Sequence, residues 1–470
     1  MSLLSQLSIR TKVGLGLLLS YTSFEVYMQL RTQYVIHARK SEYRRLKEQT
    51  ANIDGSSDSK TSASASDDID IDKFRSAIVA GMFVNPFEEY RPQTAFEFLM
   101  VRAMELVESF YGNRFELHNK LPHPHDGAVD VEDILKLFKP DLERMRENSK
   151  VLQACIAKGN FEGLSKVPNQ KWFQNLTTKS LPPVDQQMLF TWIGQSCSLV
   201  QISGINFLTD PTFSEHLISK SVGPKRLTKA PLDLKDIKYA TNDNLNFVLV
   251  SHNHPDHLEM DVAKQLGNSS MWIVPLGLKK ALARKGIYNI IEMDWWESID
   301  VTKYISPDVA LKDKYEIVCV PAMHWSGRYI LDSNTSLWCS FIIRRNGESL
   351  VYHAGDTGYS EELFDIIGRK YGPSHLALLP IGQYCPSWHQ KPRHISPQES
   401  LQVCSHISAK FMKGVHWGTF KLSGEPILEP KTLLTQLAIS LDKADYYKAP
   451  EFGLSYLYNL KDGTETEIHV

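Results

Sequence analysis

The chain has 470 residues, of which 42% are apolar and 23% charged, a composition typical of folded globular proteins. This balance excludes a wholly disordered, collagen-like or coiled-coil chain, and a net charge of −2 argues against a chain built throughout to bind nucleic acid. The six cysteines are scattered without a CxxC pair, so the sequence predicts buried thiols and a metal, if any, held mainly by His and carboxylate.

The first segment, residues 1–50, is predicted to be a basic targeting or membrane-anchor segment. It carries eight Lys or Arg against three Glu, and its first acidic residue is Glu25. A basic, acid-poor start is typical of a mitochondrial presequence. Residues 13–30 are mostly apolar but are interrupted by polar residues, so the stretch is marginal as a membrane-spanning helix. A cleaved presequence, an amphipathic surface helix and an uncleaved anchor all fit this pattern.

Three further segments follow. Residues 51–72 are predicted to be a disordered linker, because they contain mainly Ser, Ala, Asp and Gly and almost nothing to bury. Residues 73–180 are predicted to be a helical N-terminal region, with apolar residues at helical spacing from Phe96 to Val107. Residues 181–470 contain many short β-rich runs with interleaved helical stretches, which predicts an α/β sandwich of two mixed sheets with helices outside.

The most informative motif is HxHxDH, which follows the apolar run Phe-Val-Leu-Val after a single Ser. His252 and His254 are two residues apart, so in an extended turn both can point at one metal ion. Asp256 and His257 come next around the turn and can serve a second ion. A lone His is more often structural, but four ligand-type side chains within six residues at a strand end predict a metal site.

Three more candidate ligands follow predicted strands: His324 after YEIVCVPAM, Asp356 in HAGDTG and His416 in HWGTF. Taken alone, Asp356 also fits a turn before Thr-Gly, and His416 also fits a buried structural histidine. Together with HxHxDH they give five His and two Asp, a full complement for two metal ions that share a carboxylate.

The order HxHxDH, a later His, GDTG and a final His resembles the ligand order of the metallo-β-lactamase superfamily. Within it, the sequence is most similar to the N-acyl-phosphatidylethanolamine-hydrolysing phospholipase D family, including its fungal mitochondrial members. The matching stretches are TWIGQSCSLVQISGINFLTDPTFS, GPKR, SHNHPDHL, VPLGL, DWWE, AGDTGY, LPIG and HWGTF, within about residues 182–430. The resemblance implies an α/β fold, the metallo-β-lactamase αββα sandwich, in the catalytic domain, with a helical extension before it.

The resemblance also implies two Zn²⁺ per chain, since N/O ligands of this type suit zinc. The implied ligands of the first ion are His252, His254 and His324. Those of the second ion are Asp256, His257 and His416, and Asp356 is the implied bridging carboxylate. Asp210 in LTDP would hydrogen-bond a ligand histidine, although it fits a plain turn Asp before Pro equally well.

Asp256 and His394 are the implied catalytic residues, which would handle protons during the reaction. Substrate contacts are expected from Arg393, His394 and Tyr384, and Arg393 stands where the family has Gln, so its guanidinium could pair with phosphate instead. His353, which replaces an apolar residue before AGDTG, is interpreted as a packing variation.

The expected activity is therefore that of a dinuclear zinc phosphodiesterase that hydrolyses N-acyl-phosphatidylethanolamine to N-acylethanolamine and phosphatidic acid. The expected partners are a phospholipid substrate and a membrane surface, with no nucleic acid, and the resemblance suggests a homodimer. The expected location is the mitochondrion, associated with the inner membrane. The alternatives are another hydrolase on the same fold, such as a lactonase or a nuclease, and a membrane-tethered protein with a relic site. The absence of a Lys/Arg-rich run in the core counts against a nuclease.

Overall fold

The computed structural model describes residues 8–54, 71–94, 96–97, 99–101, 103–104, 135–166, 182–217, 223–306, 310–329 and 332–469. The chain divides into two compact units, residues 1–110 and 111–470. Most of the predicted linker, residues 55–70, and much of the predicted helical region, residues 105–134 and 167–180, lie outside the described residues. The boundaries predicted at residues 50, 72 and 180 stay a prediction.

The first unit contains a 46-residue helix and a two-stranded hairpin: α1 (Ile9–Asp54), β1 (Ile78–Val79) and β2 (Met82–Phe83). Ala77, Val79 and Val84 around the hairpin form a small core, against which Met28 and Val35 of α1 pack. Arg39 of α1 donates to the carbonyl oxygen of Ser76 over 2.8 Å. Among the helices that the structure describes, none combines the length and the hydropathy needed to cross a bilayer.

The second unit alternates strands and helices. Its helices are α2 (Leu142–Lys158), α3 (Glu162–Lys166), α4 (Leu234–Ala240), α5 (Met260–Leu266), α6 (Lys279–Ala283), α7 (Thr302–Ile305), α8 (Glu361–Tyr371), α9 (Ser387–Gln390), α10 (Pro397–His406) and α11 (Glu429–Ser440). Its strands are β3 (Gln187–Gly194), β4 (Cys197–Ile202), β5 (Ile205–Thr209), β6 (Phe247–Leu249), β7 (Met271–Pro275), β8 (Ile290–Met293), β9 (Ser298–Asp300), β10 (Tyr315–Val320), β11 (Ser340–Arg345), β12 (Glu348–His353), β13 (Ser374–Pro380), β14 (Phe411–Val415), β15 (Tyr447–Lys448), β16 (Ser455–Asn459) and β17 (Thr464–Ile468).

These strands form two mixed sheets. One has eight strands in the order β17-β16-β3-β4-β5-β6-β7-β8, and the other has seven in the order β15-β14-β13-β12-β11-β10-β9. The central strands are largely apolar and nearly all of their residues are buried, as sheets covered on both faces require. Side chains of α2 and α4, among them Met145 and Ile237, pack in one core with residues of the eight-stranded sheet. The predicted fold class, α/β with two mixed sheets and helices, is confirmed.

The strand directions bring the carboxyl ends of five strands to the same region. Strands β5 and β6 are parallel neighbours in the first sheet. In the second sheet, β10 and β12 are each antiparallel to β11, and β12, β13 and β14 are parallel, so β10, β12 and β14 run the same way. A backbone hydrogen bond of 2.9 Å from the N–H of Cys339 to the carbonyl of Ser251 joins the two sheets there. Ligands of open α/β sheets bind at such carboxyl ends.

Candidate metal centre

The HxHxDH motif occupies the turn directly after β6. The three apolar residues of β6 are buried, and the chain leaves the strand through Val250 and Ser251 before it reaches the first histidine. The turn is closed by the N–H groups of His257 and Leu258, which both donate to the carbonyl of His254. All four motif side chains are buried, so a short strand end places four ligand-type groups in one water-poor pocket.

The structure brings the seven predicted ligands into two clusters that share Asp356. Within each cluster one ligand atom per residue lies within 4.8 Å of all the others. The two clusters are His252, His254, His324 and Asp356, and Asp256, His257, Asp356 and His416. This grouping matches the two ligand sets that the family resemblance implied, and Asp356 stands between them.

The hydrogen bonds on the outer side of the rings leave lone pairs directed inward. The Nδ1 of His324 is 2.8 Å from the carbonyl of Arg393, so it carries the proton and Nε2 faces the cluster without one. The hydroxyl of Ser251 donates to Asp210 and lies 3.0 Å from Nδ1 of His252, which fixes the same tautomer there. Nitrogen lone pairs that converge in a buried site fit a metal ion, because a cation is the partner they can share.

Burial keeps the three histidines of the first cluster neutral. Burial lowers the pKa of His252 and His254 well below the ordinary value of 6.5, and it lowers the pKa of His324 to about 4. Neutral imidazole is the form that binds metal, so these three side chains are in the ligand form at neutral pH.

In the second cluster, by contrast, the carboxylates favour the protonated form of the two histidines. Burial alone would lower the pKa of His257, but Asp356, Asp256 and Asp210 raise it well above 6.5. Burial also opposes protonation of His416, yet Asp356 and Asp256 raise its pKa to about 9. Without metal, this cluster therefore neutralises its carboxylates with protons, and a metal ion could supply the same charge by displacing them.

Asp210 is the centre of a hydrogen-bond network that orients the histidines. Its side chain is fully buried and accepts from the N–H and the hydroxyl of Ser251, at 2.7 and 2.8 Å. Its Oδ2 also lies 2.9 Å from Nδ1 of His257 and 2.9 Å from Nε2 of His353. Burial would raise the pKa of Asp210, but His353 and His257 lower it to about 2, so it is a carboxylate at neutral pH.

The interpretation of His353 as a packing variation is wrong. Its ring lies at the end of β12 and is almost fully buried, but its Nε2 is hydrogen-bonded to the carboxylate that orients His257. The signal in the sequence was a polar residue in place of an apolar one in a buried strand. A buried polar group needs a hydrogen-bond partner, and the sequence alone did not identify Asp210 as that partner.

Gly355 allows the Asp356 turn to approach the HxHxDH turn. Its φ is +58°, and a Cβ there would meet Cβ of Ser251 at 2.5 Å and its Oγ at 2.7 Å. No side chain fits at that separation, and the left-handed backbone would be strained by one. The glycine of HAGDTG is thus a requirement of close approach between turns of the two sheets.

The other predicted site residues lie at different distances from the clusters. His394 is buried, with Nδ1 3.7 Å from Oδ2 of Asp356. The guanidinium of Arg393 is buried and donates to the carbonyl of His389, while its own carbonyl holds His324. The hydroxyl of Tyr384 donates to Glu429 over 2.7 Å. Their assignment to substrate contacts stays a prediction.

Sequence reasoning missed one further residue beside the ligands. Gln195, in the turn between β3 and β4, directs its side-chain amide at Asp256 and His416. The only signal was a polar residue in a turn between two strongly apolar strands, within the stretch that carried the family resemblance.

Comparisons with known proteins agree with this fold and site. A model for the beta-lactamase superfamily domain matches residues 205–417. The chain is 37% identical over 449 residues to the "N-acyl-phosphatidylethanolamine-hydrolyzing phospholipase D, mitochondrial" of Saccharomyces cerevisiae, and the match covers 93% of this chain and 86% of that protein. It is 36% identical over 257 residues to the "N-acyl-phosphatidylethanolamine-hydrolyzing phospholipase D 1" of Caenorhabditis elegans, over 53% of this chain and 68% of that protein.

Among solved structures, Igni18, a metallo hydrolase from Ignicoccus hospitalis, is 22% identical with a TM-score of 0.43, over 58% of this chain and 100% of that one. The fold and the His/Asp clusters define a metal-dependent hydrolase of the metallo-β-lactamase superfamily. Within that superfamily, the chain belongs to the N-acyl-phosphatidylethanolamine-hydrolysing phospholipase D family. The family resemblance seen in the sequence is confirmed.

Proposed function

We propose that this chain is a dinuclear zinc phosphodiesterase that hydrolyses N-acyl-phosphatidylethanolamine. Water would add to phosphorus, the bond from phosphorus to the ethanolamine oxygen would break, and N-acylethanolamine and phosphatidic acid would leave. The observation that carries the proposal is the pair of buried His/Asp clusters that share Asp356. Membership of a family whose named relatives carry this activity supplies the substrate class.

The residues divide the work between binding the ions and orienting the ligands. His252, His254 and His324 would hold one ion, Asp256, His257 and His416 the other, and Asp356 both. Two zinc ions so held would lower the pKa of water in the site and offset the negative charge of the phosphodiester. Asp210 keeps His257 in the tautomer that presents Nε2, through the 2.9 Å contact to Nδ1.

We propose that two side chains, those of Asp256 and His394, transfer protons. Asp256 is buried, and burial would raise its pKa, but His257 and His416 lower it, so it is a carboxylate that can accept a proton only transiently. The Nδ1 of His394 lies 3.7 Å from Oδ2 of Asp356. Burial lowers the pKa of His394 well below 6.5, so its imidazole is neutral. Each would transfer a proton from the attacking water toward the oxygen of the leaving alcohol.

The finer proposals on location rest on α1. Between residues 9 and 34 this helix exposes large apolar side chains, including Leu17, Leu18 and Leu30, with Arg10 and Lys12 before them. A helix that combines exposed leucines with basic residues suits an anionic membrane surface. We propose that α1 holds the enzyme at a mitochondrial inner membrane, where the lipid substrate lies; the yeast relative is named mitochondrial. A homodimer stays a prediction.

The decisive experiment is an assay of purified protein on N-acyl-phosphatidylethanolamine vesicles, with and without chelator. His254→Ala should abolish release of N-acylethanolamine, whereas His469→Ala, at an exposed position near the C-terminus, should not. Equal product in all samples would contradict a metal mechanism. Faster turnover of a lactone or of phosphatidylcholine than of the N-acyl lipid would contradict the substrate class.

Membrane association is tested separately, by flotation with cardiolipin-containing vesicles. Replacing Leu17 and Leu18 by Glu should release the protein from the vesicles, while replacing Glu42 by Gln on the same helix should not. Unchanged flotation of the double Glu variant would show that α1 is not the contact.

A further inference from the structure

The turn between β3 and β4 carries a residue that is not among the predicted ligands yet lies against them. Gln195 is 1% exposed and has a positive φ of 51°, which is uncommon for a residue other than glycine. Such a conformation persists where surrounding contacts over-determine it, and these conformations cluster at functional sites.

Three hydrogen bonds fix the backbone of Gln195. Its N–H donates to Oγ1 of Thr419 over 2.6 Å. Its carbonyl accepts from the indole N–H of Trp192 over 2.9 Å and from the backbone N–H of His416 over 3.0 Å. The backbone polar groups are therefore satisfied without the side chain, and the turn is tied directly to a predicted ligand.

The side-chain amide reaches the second cluster. Its Nε2 donates to Oδ2 of Asp256 over 2.9 Å and lies 2.8 Å from Nε2 of His416. An amide nitrogen has two N–H groups and no acceptor, and one of these N–H groups serves the carboxylate. The preceding residue is Gly194, and a Cβ there would collide with the guanidinium of Arg226 from GPKR. The turn that carries Gln195 is therefore tightly packed.

We propose that Gln195 is a positioning residue for the second metal ion: its amide fixes the Asp256 carboxylate, and so sets the affinity of that ion without being a ligand of either ion. This inference rests on the proposed two-metal function. A purely structural role does not account for the amide, because a glycine or asparagine would satisfy the turn conformation better. The length of the Gln side chain is what brings the donor to Asp256.

The test replaces the amide and measures each metal step. Gln195→Met keeps the length of the side chain and removes the donor. Loss of such an outer partner typically weakens metal binding by about 10- to 100-fold. We expect this weakening for the second Zn²⁺ alone, in a competition titration against a chromophoric chelator, with the first ion bound as in wild type. Co²⁺ loading should show a changed visible spectrum for the second equivalent only.

Gln201→Met is the matched control. Gln201 lies on the same hairpin and is fully buried, but its side-chain amide donates to Met145, Ser149 and Asn206, none of which belongs to either cluster. It should lower thermal stability without changing either metal step. If Gln195→Met does not fold, Gln195→Asn serves instead, since asparagine tolerates positive φ and its amide ends one methylene short of Asp256.

The outcomes separate this inference from the proposed function. A wild type that binds two ions, together with a selective loss of the second in the Gln195 variant and none in Gln201→Met, supports it. Wild-type affinities in the Gln195 variant, or equal weakening of both ions, overturn the positioning role. A wild type that binds fewer than two ions instead overturns the proposed function.

Discussion

Asp210→Asn removes one charge from the buried network and changes little else. Asparagine has the same shape as aspartate and accepts the positive φ of 38° found here. The carboxylate accepts from the N–H and hydroxyl of Ser251 and contacts ring nitrogens of His257 and His353. An amide can accept at one oxygen only, and its NH₂ group would face donors.

The expected cost follows from these contacts. Hydrogen bonds to a charged group contribute about 1.5–3 kcal/mol each, and removing one partner of a buried charge network costs about 3–5 kcal/mol. All the partners are buried, so water cannot replace the lost acceptor. A free energy of unfolding lowered by about 3–5 kcal/mol leaves a typical domain folded but heat-sensitive. Metal affinity should fall by roughly 10- to 100-fold, since His257 loses its orienting partner.

Urea unfolding and zinc competition titration measure these two effects. Asp233→Asn is the control, because Asp233 is an exposed helix N-cap and asparagine caps equally well. A double-mutant cycle with His353→Phe adds a sharper test: the double variant should lose less than the sum of the single losses, as the donor that would face the amide is gone. An Asp210→Asn protein within about 0.5 kcal/mol of wild type, with unchanged zinc affinity, would refute the reasoning.

Three further outcomes are expected. Asp356→Asn should abolish hydrolysis and lower the zinc content measured on purified protein, because both clusters share this carboxylate. Gly355→Ala should cost more stability than Gly286→Ala, which meets open space at a similar positive φ; equal melting temperatures would contradict the close approach. His375→Phe should make stability less acid-sensitive. Burial, then Lys410 and Arg345, lower the pKa of His375 to about 4, so below pH 6.5 the unfolded chain binds the proton first and wild-type stability falls as pH falls toward 4. Between pH 7 and pH 5, the free energy of unfolding measured with urea should fall by roughly 1–2 kcal/mol less in the variant than in wild type. An equal decrease in both proteins would contradict this.

The seven candidate ligands could be predicted because their signal is local. Each lies within a few residues after the end of a strand that is itself recognisable as an apolar run, as His252 follows β6 and His416 follows β14. Ligand-type residues at such ends are visible in the sequence without any knowledge of the pairing. The two-sheet α/β architecture was predictable for the same reason, from runs of strand-forming residues between helical stretches.

The supporting residues could not be predicted because their partners are distant. His353 meets Asp210 across 143 positions, and Gln195 meets His416 across 221. Such pairs depend on how two sheets pack, which no local pattern encodes. Family motifs were also uninformative about role: Arg226 of GPKR is buried and donates to the carbonyls of Ile193 and Thr212, so its guanidinium ties β3 to the segment after β5.

The two clusters differ in the protonation of their histidines and in the side chains that orient them. The first contains three histidines that burial keeps neutral, and the second contains carboxylates whose charge must be met. The second also receives the side chains of Asp210 and Gln195, both from turns of the eight-stranded sheet. Asp356, like His324 and His416, follows a strand of the seven-stranded sheet. Both clusters therefore depend on how the two sheets sit against each other, and the Cys339 to Ser251 hydrogen bond lies at that junction. Substitutions that shift one sheet against the other should therefore damage both clusters, since each cluster draws ligands from both sheets.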